Sequence, residues 1–324
     1  MKQAVLVFAI ALVITLAIGP AVINYLRKMK FGQKILEIGP KWHMNKQNIP
    51  TMGGFMFIIG IAAAVIIGNI VMGEISVSSL AVLGLAVAYG AVGLVDDYAK
   101  IKKKENAGLT PKQKLVLQIL VAGVFILVLF LESDGLPSLM IPFTGISIDL
   151  PWPVYIIFAA FVIVGADNAV NLTDGIDGLA ASVTVPVAVF FAAVGARIGN
   201  TGVTIFAGAL AGGLLGFLIY NFNPAKVFMG DTGSLFLGGA VAGMAFACDM
   251  PLILLLVGLI YIIETLSVIL QVTYFKATHG KRLFKMAPIH HHFEMCGWGE
   301  KRIVLTFTAV TIVLCLAAYF VALP

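Results

Sequence analysis

The sequence predicts an all-α integral membrane protein, folded as a single polytopic domain over residues 1–324. Three observations predict this class: 60% of the residues are hydrophobic and only 11% are charged, the mean hydropathy is +1.03, and long apolar runs recur along the chain. An ordinary soluble domain carries about 25% charged residues. A soluble fold of this composition would expose large apolar patches to water, so the soluble protein classes are excluded.

The apolar runs predict about ten transmembrane helices, because a helix needs about 20 apolar residues to cross ~30 Å of hydrocarbon. The runs are continuous, whereas the strands of a membrane β-barrel would alternate apolar and polar residues. The first run is too long for the core of a signal peptide and is expected to be retained as a helix. The eighth run is short and rich in glycine. The predicted segments are 3–26, 51–72, 78–95, 114–131, 153–170, 178–198, 202–220, 232–248, 251–275 and 303–323.

The distribution of basic residues predicts which side of the membrane each loop faces. Ten helices put both termini on one side, and of the 21 Lys and Arg only Lys2 and Arg197 lie there; the other 19 lie in or beside the five opposite loops. By the positive-inside rule those five loops are cytoplasmic and both termini are outside. The cytoplasmic loops, which also hold the polar motifs and so the expected active site, are 27–50, 96–113, 171–177, 221–231 and 276–302.

Asp96 and Asp97 end the third predicted helix in the stretch GLVDDYAKIKKK. Two adjacent carboxylates are poorly placed for stability there, because the dipole at a helix C-terminus favours cations. One interpretation is an acidic pair neutralised by the lysines that follow it. The other is a metal ligand or proton acceptor beside a basic, phosphate-attracting loop. This motif alone leaves both open.

The loop NAVNLTDGIDGLA, residues 168–180, concentrates oxygen ligands between two apolar helices. Asn171, Asp174 and Asp177 are spaced by three around Gly175 and Gly178. An N-cap of the next helix would explain one aspartate but not the cluster. Asp and Asn oxygens suit hard cations such as Mg²⁺, and glycines allow a ligand to approach the backbone. The twelve-residue EF-hand spacing is absent, so the pattern favours a functional site of another kind.

The loop NFNPAKVFMGDTGSLFLG, residues 221–238, places an aspartate at a predicted helix start. Asp231 comes directly before Thr-Gly-Ser, where free backbone N–H groups form a natural anion site. A carboxylate there can hold Mg²⁺ while the N–H groups receive a phosphate. Phe228 is either an interfacial anchor or an aromatic ring that stacks on a base.

The last cytoplasmic loop contains three adjacent histidines, His290, His291 and His292. No H-x-x-x-H spacing or cysteine pair accompanies them, so zinc is not indicated. The three scattered cysteines likewise indicate no disulfide framework. Because the other motifs supply carboxylates, Mg²⁺ is the favoured metal, and the histidines are expected to hydrogen-bond phosphate or sugar.

Two polar residues stand out in the ninth predicted helix, Glu264 near its middle and Gln271 close to its cytoplasmic end. A bare charge at the bilayer centre costs at least about 2.5–3.5 kcal/mol. Glu264 must therefore be paired, protonated or directed into a cavity. Because it lies away from the other acids, a structural role is favoured.

Four motifs together carry a family resemblance: GLVDDYAKIKKK, NLTDGIDGLA, NFNPAKVFMGDTGSL and KMAPIHHHFE. They resemble the phospho-N-acetylmuramoyl-pentapeptide transferases, a branch of the polyprenyl-phosphate N-acetylhexosamine-1-phosphate transferases. The likeness runs through essentially the whole chain. The aspartate motifs resemble the superfamily, whereas the triple-histidine loop and the segment KWHMNKQNIPTMGG resemble the muramoyl-pentapeptide branch.

The resemblance implies an activity, the transfer of phospho-N-acetylmuramoyl-pentapeptide from its UDP-linked precursor to undecaprenyl phosphate, which gives lipid I and UMP for peptidoglycan synthesis. It implies a Mg²⁺-dependent enzyme of the bacterial cytoplasmic (inner) membrane whose active site faces the cytoplasm. The resemblance also implies ten helices with a kinked ninth. It further implies that the protein pairs as a homodimer and has no nucleic-acid partner.

Residue roles follow from the same resemblance. Asp231 would bind Mg²⁺, and Asp96 and Asp97 would lie beside the lipid phosphate, with one of them a candidate base. The nucleotide side of the site would be formed by Asn171, Asp174, Asp177, Phe228 and Gln271. The pocket would be completed by Lys46, Thr51, Lys112, His290, His291 and His292.

Two other functions fit parts of the sequence. A sister transferase that uses a UDP-N-acetylhexosamine without the peptide would keep the aspartate motifs but should lack the APIHHHFE loop. A transporter would explain Glu264, but transporter sites lie near the bilayer midplane between internal repeats. Here the polar motifs are concentrated at one face and no repeat is evident.

Overall fold

The structure is a computed structural model of the 324-residue chain. It describes residues 2–29, 46, 49–73, 75–103, 108–132, 135, 137–142, 144 and 146–321. Most of the predicted cytoplasmic loop 27–50 therefore lies outside the described residues, including most of the first half of the segment KWHMNKQNIPTMGG.

The described chain is almost entirely α-helical, which confirms the predicted fold class. Its helices are α1 Lys2–Lys28, α2 Gly54–Met72, α3 Val77–Lys103, α4 Pro111–Glu132, α5 Trp152–Thr173, α6 Leu179–Ile198, α7 Thr201–Asn221, α8 Gly230–Ala247, α9 Leu254–Val257, α10 Leu259–Ala277, α11 Ile289–Met295 and α12 Glu300–Val321. A short antiparallel hairpin, β1 Ser138–Ile141 and β2 Ile146–Asp149, was not predicted from the sequence.

Nine of the described helices are long and apolar enough to cross a membrane. They correspond to nine of the ten predicted segments. The remaining prediction, 232–248, is a helix as expected, but α8 is not among the nine. Every residue of α8 from Thr232 to Phe246 is buried inside the protein. The multi-pass membrane fold is thus confirmed, with α8 as an internal helix.

The ninth predicted segment is interrupted. A 3-10 turn at Pro251–Ile253 and the single helical turn α9 come before α10, with Gly258 between α9 and α10. The Gly258 N–H still donates to the Leu254 carbonyl oxygen at 2.9 Å, while its φ of −98° and ψ of 12° depart from helical values. The break agrees with the kinked ninth helix that the resemblance implied.

Close backbone approach between α3 and α8 positions the site. A Cβ atom on Gly93 would overlap the backbone of Asp231, and one on Gly90 would lie 3.3 Å from the Thr232 carbonyl oxygen. Only glycine leaves room for the two backbones to come this near. As a result, the start of α8 lies beside Asp96 and Asp97 of α3. The other end of α8 faces the hairpin, where the Met140 N–H donates to the backbone carbonyl oxygen of Asp249.

Candidate active site

Charged and polar side chains meet at one end of the helix bundle. They come from the last turns of α3, the start of α4, the end of α5 and the start of α8. This is the end at which the sequence predicts the cytoplasmic loops. Four segments that are far apart in sequence are therefore brought together.

Asp231, in the first turn of α8, is the centre of the cluster. Its Oδ2 lies 3.0 Å from the Lys100 Nζ and 3.0 Å from the Lys114 Nζ. Its Oδ1 accepts a hydrogen bond from the Asn171 amide at 3.1 Å, and that amide also donates to the Ser234 hydroxyl at 2.7 Å. The side chain of Asp231 remains 19% exposed, so its carboxylate is accessible from this end of the bundle.

Asp97 is nearly buried and has both carboxylate oxygens engaged. Oδ1 accepts the Asp231 N–H at 3.1 Å, and Oδ2 accepts the Thr232 N–H at 2.9 Å and the Thr232 hydroxyl at 2.7 Å. Free N–H groups and the positive dipole end make a helix start favourable for an anion. Asp97 therefore caps α8 from α3.

Gly230 makes this capping contact possible. Its φ is +71°, a conformation that glycine adopts without steric cost. A Cβ there would lie 2.6 Å from the Asp97 Oδ2 and 2.8 Å from the Thr51 Oγ1. The same contact places Thr51 beside Gly230 at the start of α8.

Asp96 is the buried neighbour of Asp97 in the same turn of α3. Its Oδ2 pairs with the Lys100 Nζ at 2.7 Å, and its Oδ1 accepts the Leu109 N–H at 2.7 Å. The acidic pair is thus partly neutralised by a following lysine, as one of the two interpretations proposed. Through Lys100, Asp96 also connects to Asp231.

Asp174 follows the last residue of α5 and is half-buried. Its carboxylate has no hydrogen-bond partner among the described residues. Desolvation, together with the nearby charges of Asp231, Asp97 and Asp177, holds the pKa of Asp174 well above its usual range. It is the carboxylate of the cluster with oxygens free to receive a ligand.

Asp177 and Lys46 form a second cluster with Glu300, at the start of α12. The Lys46 Nζ lies 2.7 Å from the Asp177 Oδ1 and 2.6 Å from the Glu300 Oε1. The other Asp177 oxygen accepts the Ala225 N–H at 2.9 Å. These contacts tie four of the predicted cytoplasmic loops together, and Glu300 was not predicted from the sequence.

Phe228 is half-buried in the loop before α8. Its backbone pairs with the residues before α2: its N–H donates to the Pro50 carbonyl oxygen at 2.8 Å, and its own carbonyl accepts the Gly53 N–H at 2.7 Å. The pairing fixes Thr51 relative to the start of α8.

The three histidines occupy three different environments. His290 is fully buried, with its Nδ1 3.0 Å from the Glu264 Oε2. The His291 Nδ1 contacts Glu294 at 2.6 Å, and the His292 Nδ1 accepts the Lys285 N–H at 3.1 Å. Glu264 is therefore paired, which was one of the three states expected of it.

Gln271 holds the last cytoplasmic loop in place. Its Oε1 accepts the N–H groups of Leu283 and Phe284 at 3.1 and 2.8 Å, and its Nε2 donates to the Phe284 carbonyl oxygen at 3.2 Å. Every polar atom of its side chain is used in these contacts. In this structure Gln271 shapes the loop.

Some members of the cluster were not predicted. Lys112, the predicted lysine, is exposed on the first turn of α4, whereas Lys114 makes the contact to Asp231. Lys100 was also missed, although its spacing from Asp96 is the i, i+4 spacing of paired residues on a helix. Beneath the cluster, Gln118 donates to the buried Asp167 at 2.7 Å. Asp167 lies inside a predicted span, and the rule that singled out Glu264 would have found it.

The donor set suits a magnesium ion that arrives with a phosphate ligand. Among the described residues, no group of three or more His, Cys, Asp or Glu could hold a metal by itself. Mg²⁺ is usually bound by one or two carboxylates together with substrate phosphates rather than by a cage made of protein alone. The carboxylate of Asp231 and the free carboxylate of Asp174 fit that manner of binding.

Comparison with known proteins identifies the family. Residues 79–249, more than half of the chain, match glycosyl transferase family 4. Proteins named phospho-N-acetylmuramoyl-pentapeptide-transferase match nearly its full length. One from Listeria welshimeri is 47% identical over 306 residues, 94% of each chain. One from Clostridium perfringens is 49% identical over 315 residues, 97% of each chain.

The chain belongs to the phospho-N-acetylmuramoyl-pentapeptide-transferase family. A third relative of that name, from Bacillus licheniformis, is 44% identical over 324 residues, 99% of each chain. The match to glycosyl transferase family 4 runs from α3 to the end of α8. It therefore contains Asp96, Asp97, Asn171 and Asp231. The histidine loop lies beyond it, in the part that this transferase family shares over its full length.

Proposed function

We propose that the protein transfers phospho-N-acetylmuramoyl-pentapeptide from its UDP-linked precursor to undecaprenyl phosphate. An oxygen of the lipid phosphate forms a bond to the sugar-linked phosphorus, the bond between that phosphorus and the bridging oxygen breaks, and UMP leaves. The products are lipid I and UMP. Among the observations on the structure, the one that supports this best is the carboxylate of Asp231 flanked by Lys100 and Lys114 at 3.0 Å each.

The charge arrangement suits this reaction. The donor and the acceptor are both anions, so they repel each other, and catalysis depends on positioning and charge neutralisation. Lys100 and Lys114 supply cations at the point where Asn171 and Asp231 meet. The basic loops would also attract anionic substrate and lipid, by about 1 kcal/mol for each Lys or Arg near the membrane surface.

The proposal includes Mg²⁺ bound to Asp231. When bound, Mg²⁺ neutralises the diphosphate and stabilises the charge that develops on the leaving UMP. Asp231 would hold it, Asp174 lies at the same site with free oxygens, and Lys100 and Lys114 would then be available to the phosphate groups. A neutral side chain in place of Asp231 would remove a carboxylate from both lysines, and Lys100 would keep its pairing with Asp96.

The proposed reaction has one chemical step and needs no protein base. The second pKa of a phosphate monoester is about 6, so the lipid phosphate is mostly ionised at neutral pH. The oxygens of Asp97 are engaged by α8, which argues against this residue as the base. The competing scheme has an aspartate attack first and form a covalent phospho-sugar enzyme. Labelled sugar phosphate trapped on the protein without lipid acceptor would overturn the one-step scheme.

We place the protein in the bacterial cytoplasmic membrane, as a homodimer, with this site facing the cytoplasm. The basic loops and the family support the orientation. The mass of the detergent-solubilised protein, measured by light scattering, would test the dimer. Labelling of an introduced cysteine at Lys102 by a membrane-impermeant reagent, only in inverted vesicles, would support the orientation.

The decisive experiment measures UMP release by the purified protein from UDP-N-acetylmuramoyl-pentapeptide and undecaprenyl phosphate. Release that needs both the lipid and Mg²⁺, and that stops with excess EDTA, is expected. Release from UDP-N-acetylglucosamine instead would move the protein to the sister transferases. No release of UMP from either substrate would favour a transporter, the function that would explain the buried Glu264.

A further inference from the structure

Glu264 and His290 form a buried contact between α10 and α11. Both residues are 0% exposed. The Glu264 Oε2 lies 3.0 Å from the His290 Nδ1 and 3.5 Å from the His290 backbone nitrogen. The contact joins a membrane-spanning helix to the histidine loop.

The contact favours a proton on the Nδ1 of His290. A backbone N–H can only donate and a carboxylate oxygen can only accept, so the Glu264 carboxylate takes a hydrogen bond from the backbone nitrogen and from Nδ1. A hydrogen bond at one ring nitrogen determines the state of the other, so Nε2 is the nitrogen of His290 left for a ligand.

The His290 Nε2 has no hydrogen-bond partner among the described residues, although it is buried. Such atoms are rare in folded proteins and call for an explanation. The ring lies directly against Gly175, where an added Cβ would overlap Nε2. Gly175 follows Asp174, the carboxylate of the active-site cluster with free oxygens. The unpartnered nitrogen thus faces the turn that borders the site.

We propose that Glu264 is a positioning residue: it holds His290 by Nδ1, so that Nε2 is presented at the Asp174–Gly175 turn to the nucleotide-sugar substrate. This proposal rests on the proposed function. The Glu264 carboxylate contacts His290, and it is the His290 ring that lies against Gly175. The effect of Glu264 passes through the orientation and tautomer of the imidazole, as that of a carboxylate does for a histidine in hydrolytic triads.

A purely structural reading treats the pair as a latch between α10 and α11. The two readings differ for Glu264→Gln. The glutamine keeps the volume and a hydrogen bond to the ring, so a latch survives. Its neutral amide oxygen accepts from Nδ1 more weakly than a carboxylate does, so the tautomer with a bare Nε2 is less favoured. A positioning role is therefore weakened in that variant.

Kinetics on the purified full-length protein give the first test. We expect Glu264→Gln to lower kcat/KM by about 10- to 100-fold, the range seen when an orienting partner is removed. Thr265→Val, which removes a hydrogen bond within α10 beside Glu264, is the matched control and should keep wild-type kcat/KM. Wild-type kcat/KM in Glu264→Gln would overturn the proposal.

A double mutant separates positioning from folding. Because Glu264 acts through His290, Glu264→Gln should cause no further loss in a His290→Gln background. Losses that multiply between the two single variants would show that Glu264 acts independently of His290, and would overturn the proposal.

Nitrogen NMR of the histidine rings tests the same idea without substrate. The His290 signal, assigned by its absence in His290→Gln, should show a protonated Nδ1 in the wild-type protein and a changed proton position in Glu264→Gln. An unprotonated Nδ1 in the wild type would overturn the proposal. If the wild type turns over no UDP-sugar, the proposed function fails while this measurement still decides the role of Glu264.

Discussion

The Asp97 Oδ2 accepts both the backbone N–H and the hydroxyl of Thr232, at 2.9 and 2.7 Å. With the Asp231 N–H on Oδ1, three donors from the first turn of α8 converge on one buried carboxylate of α3. The position of Asp231 relative to the lysines therefore depends on Asp97. An acidic residue that sequence reasoning treated as a ligand or a base has a structural role in addition.

The first prediction concerns Asp97→Asn. Asparagine has one acceptor oxygen, so at least one donor of α8 loses its partner. We expect the free energy of unfolding to fall by about 1–2 kcal/mol, the usual loss for a helix cap, and turnover to fall because Asp231 shifts. The thermal midpoint in detergent and kcat measure the two effects.

Thr232→Val is the matched control for that prediction, because it removes one of the same hydrogen bonds from the other side. It should show a smaller loss of stability and of kcat in the same direction. An Asp97→Asn protein with a wild-type midpoint and no turnover would contradict the capping role and return Asp97 to direct chemistry.

The second prediction concerns Asp231→Asn. Removing the charge from the proposed Mg²⁺ ligand should lower kcat by about 100-fold or more, as the loss of a main electrostatic group does. Folding and membrane insertion should be retained. The rate of the wild type should rise with Mg²⁺ and saturate, and the residual rate of the variant should not respond to Mg²⁺ in that range.

Asp249→Asn is the control for Asp231→Asn. Asp249 is an exposed acid at the opposite end of α8, with a φ of +55° that asparagine also tolerates. It should keep wild-type turnover and Mg²⁺ response. Near-normal activity of Asp231→Asn would remove Asp231 from the metal role.

Much of the fold follows from hydropathy alone, because apolar runs of about 20 residues have few alternatives to crossing the membrane. α8 is the exception. Its many glycines lower its hydropathy, and they are there for close packing with α3 and α5. Whether an apolar helix contacts lipid or protein is a tertiary property, so composition did not show that α8 is packed inside the bundle.

The motifs predicted which segments form the site, but they did not predict which side chains of α4 face it. The fourth predicted segment began at 114, whereas α4 begins at Pro111, a residue favoured at the first helical position. With that start, Lys114 and Gln118 are one turn apart on the same face. Lys114 then contacts Asn171 and Asp231 while Lys112 is exposed. Asp177 and Gln271 form hydrogen bonds with loops that are distant in sequence. The spacing of residues within a motif gives no information about such contacts.

The third prediction compares Lys114→Gln with Lys102→Gln. Lys114 neutralises Asp231 and would contact phosphate when substrate binds, so its loss should lower kcat/KM by about 10- to 100-fold, the equivalent of 1.4–2.8 kcal/mol of transition-state stabilisation. Lys102 is exposed on α3 and should behave as wild type. An equal loss of kcat/KM in the two variants would show that Lys114 acts only through the general surface charge.

The fourth prediction concerns Asp174→Asn and pH. The pKa of Asp174 is raised in the folded protein, so the stability linked to its protonated form is present below the unfolded pKa, about 3.9. That stability is lost as the pH rises through the folded pKa. Asparagine cannot ionise and avoids the loss. In EDTA, the thermal midpoint of the variant should therefore be higher than that of the wild type at pH 8 and equal to it at pH 4.

Thermal midpoints at the two pH values measure this difference. A midpoint offset between Asp174→Asn and the wild type that is the same at pH 4 and pH 8 would contradict a raised pKa. Added Mg²⁺ at pH 8 should narrow the offset if Asp174 shares the cation with Asp231, because the ionised carboxylate then gains a partner.

The fifth prediction concerns Gly175→Ala. The backbone of Gly175 has no positive φ, so alanine is strained there only by contact, and its Cβ would overlap the His290 ring. Overpacking of this kind usually costs about 1–3 kcal/mol. We expect a lower thermal midpoint and a lower kcat/KM. Gly165→Ala in α5, where a Cβ meets open space, should change neither.

The contact with His290 can be isolated by a second substitution. In a His290→Ala background the added methyl group has room, so Gly175→Ala should lower the midpoint much less than it does in the wild type. A coupling of this sign shows that the two residues act through their contact. If the two losses of stability simply add, the effect of Gly175→Ala arises from the backbone of the turn itself. The His290 ring would then not contact Gly175 in solution.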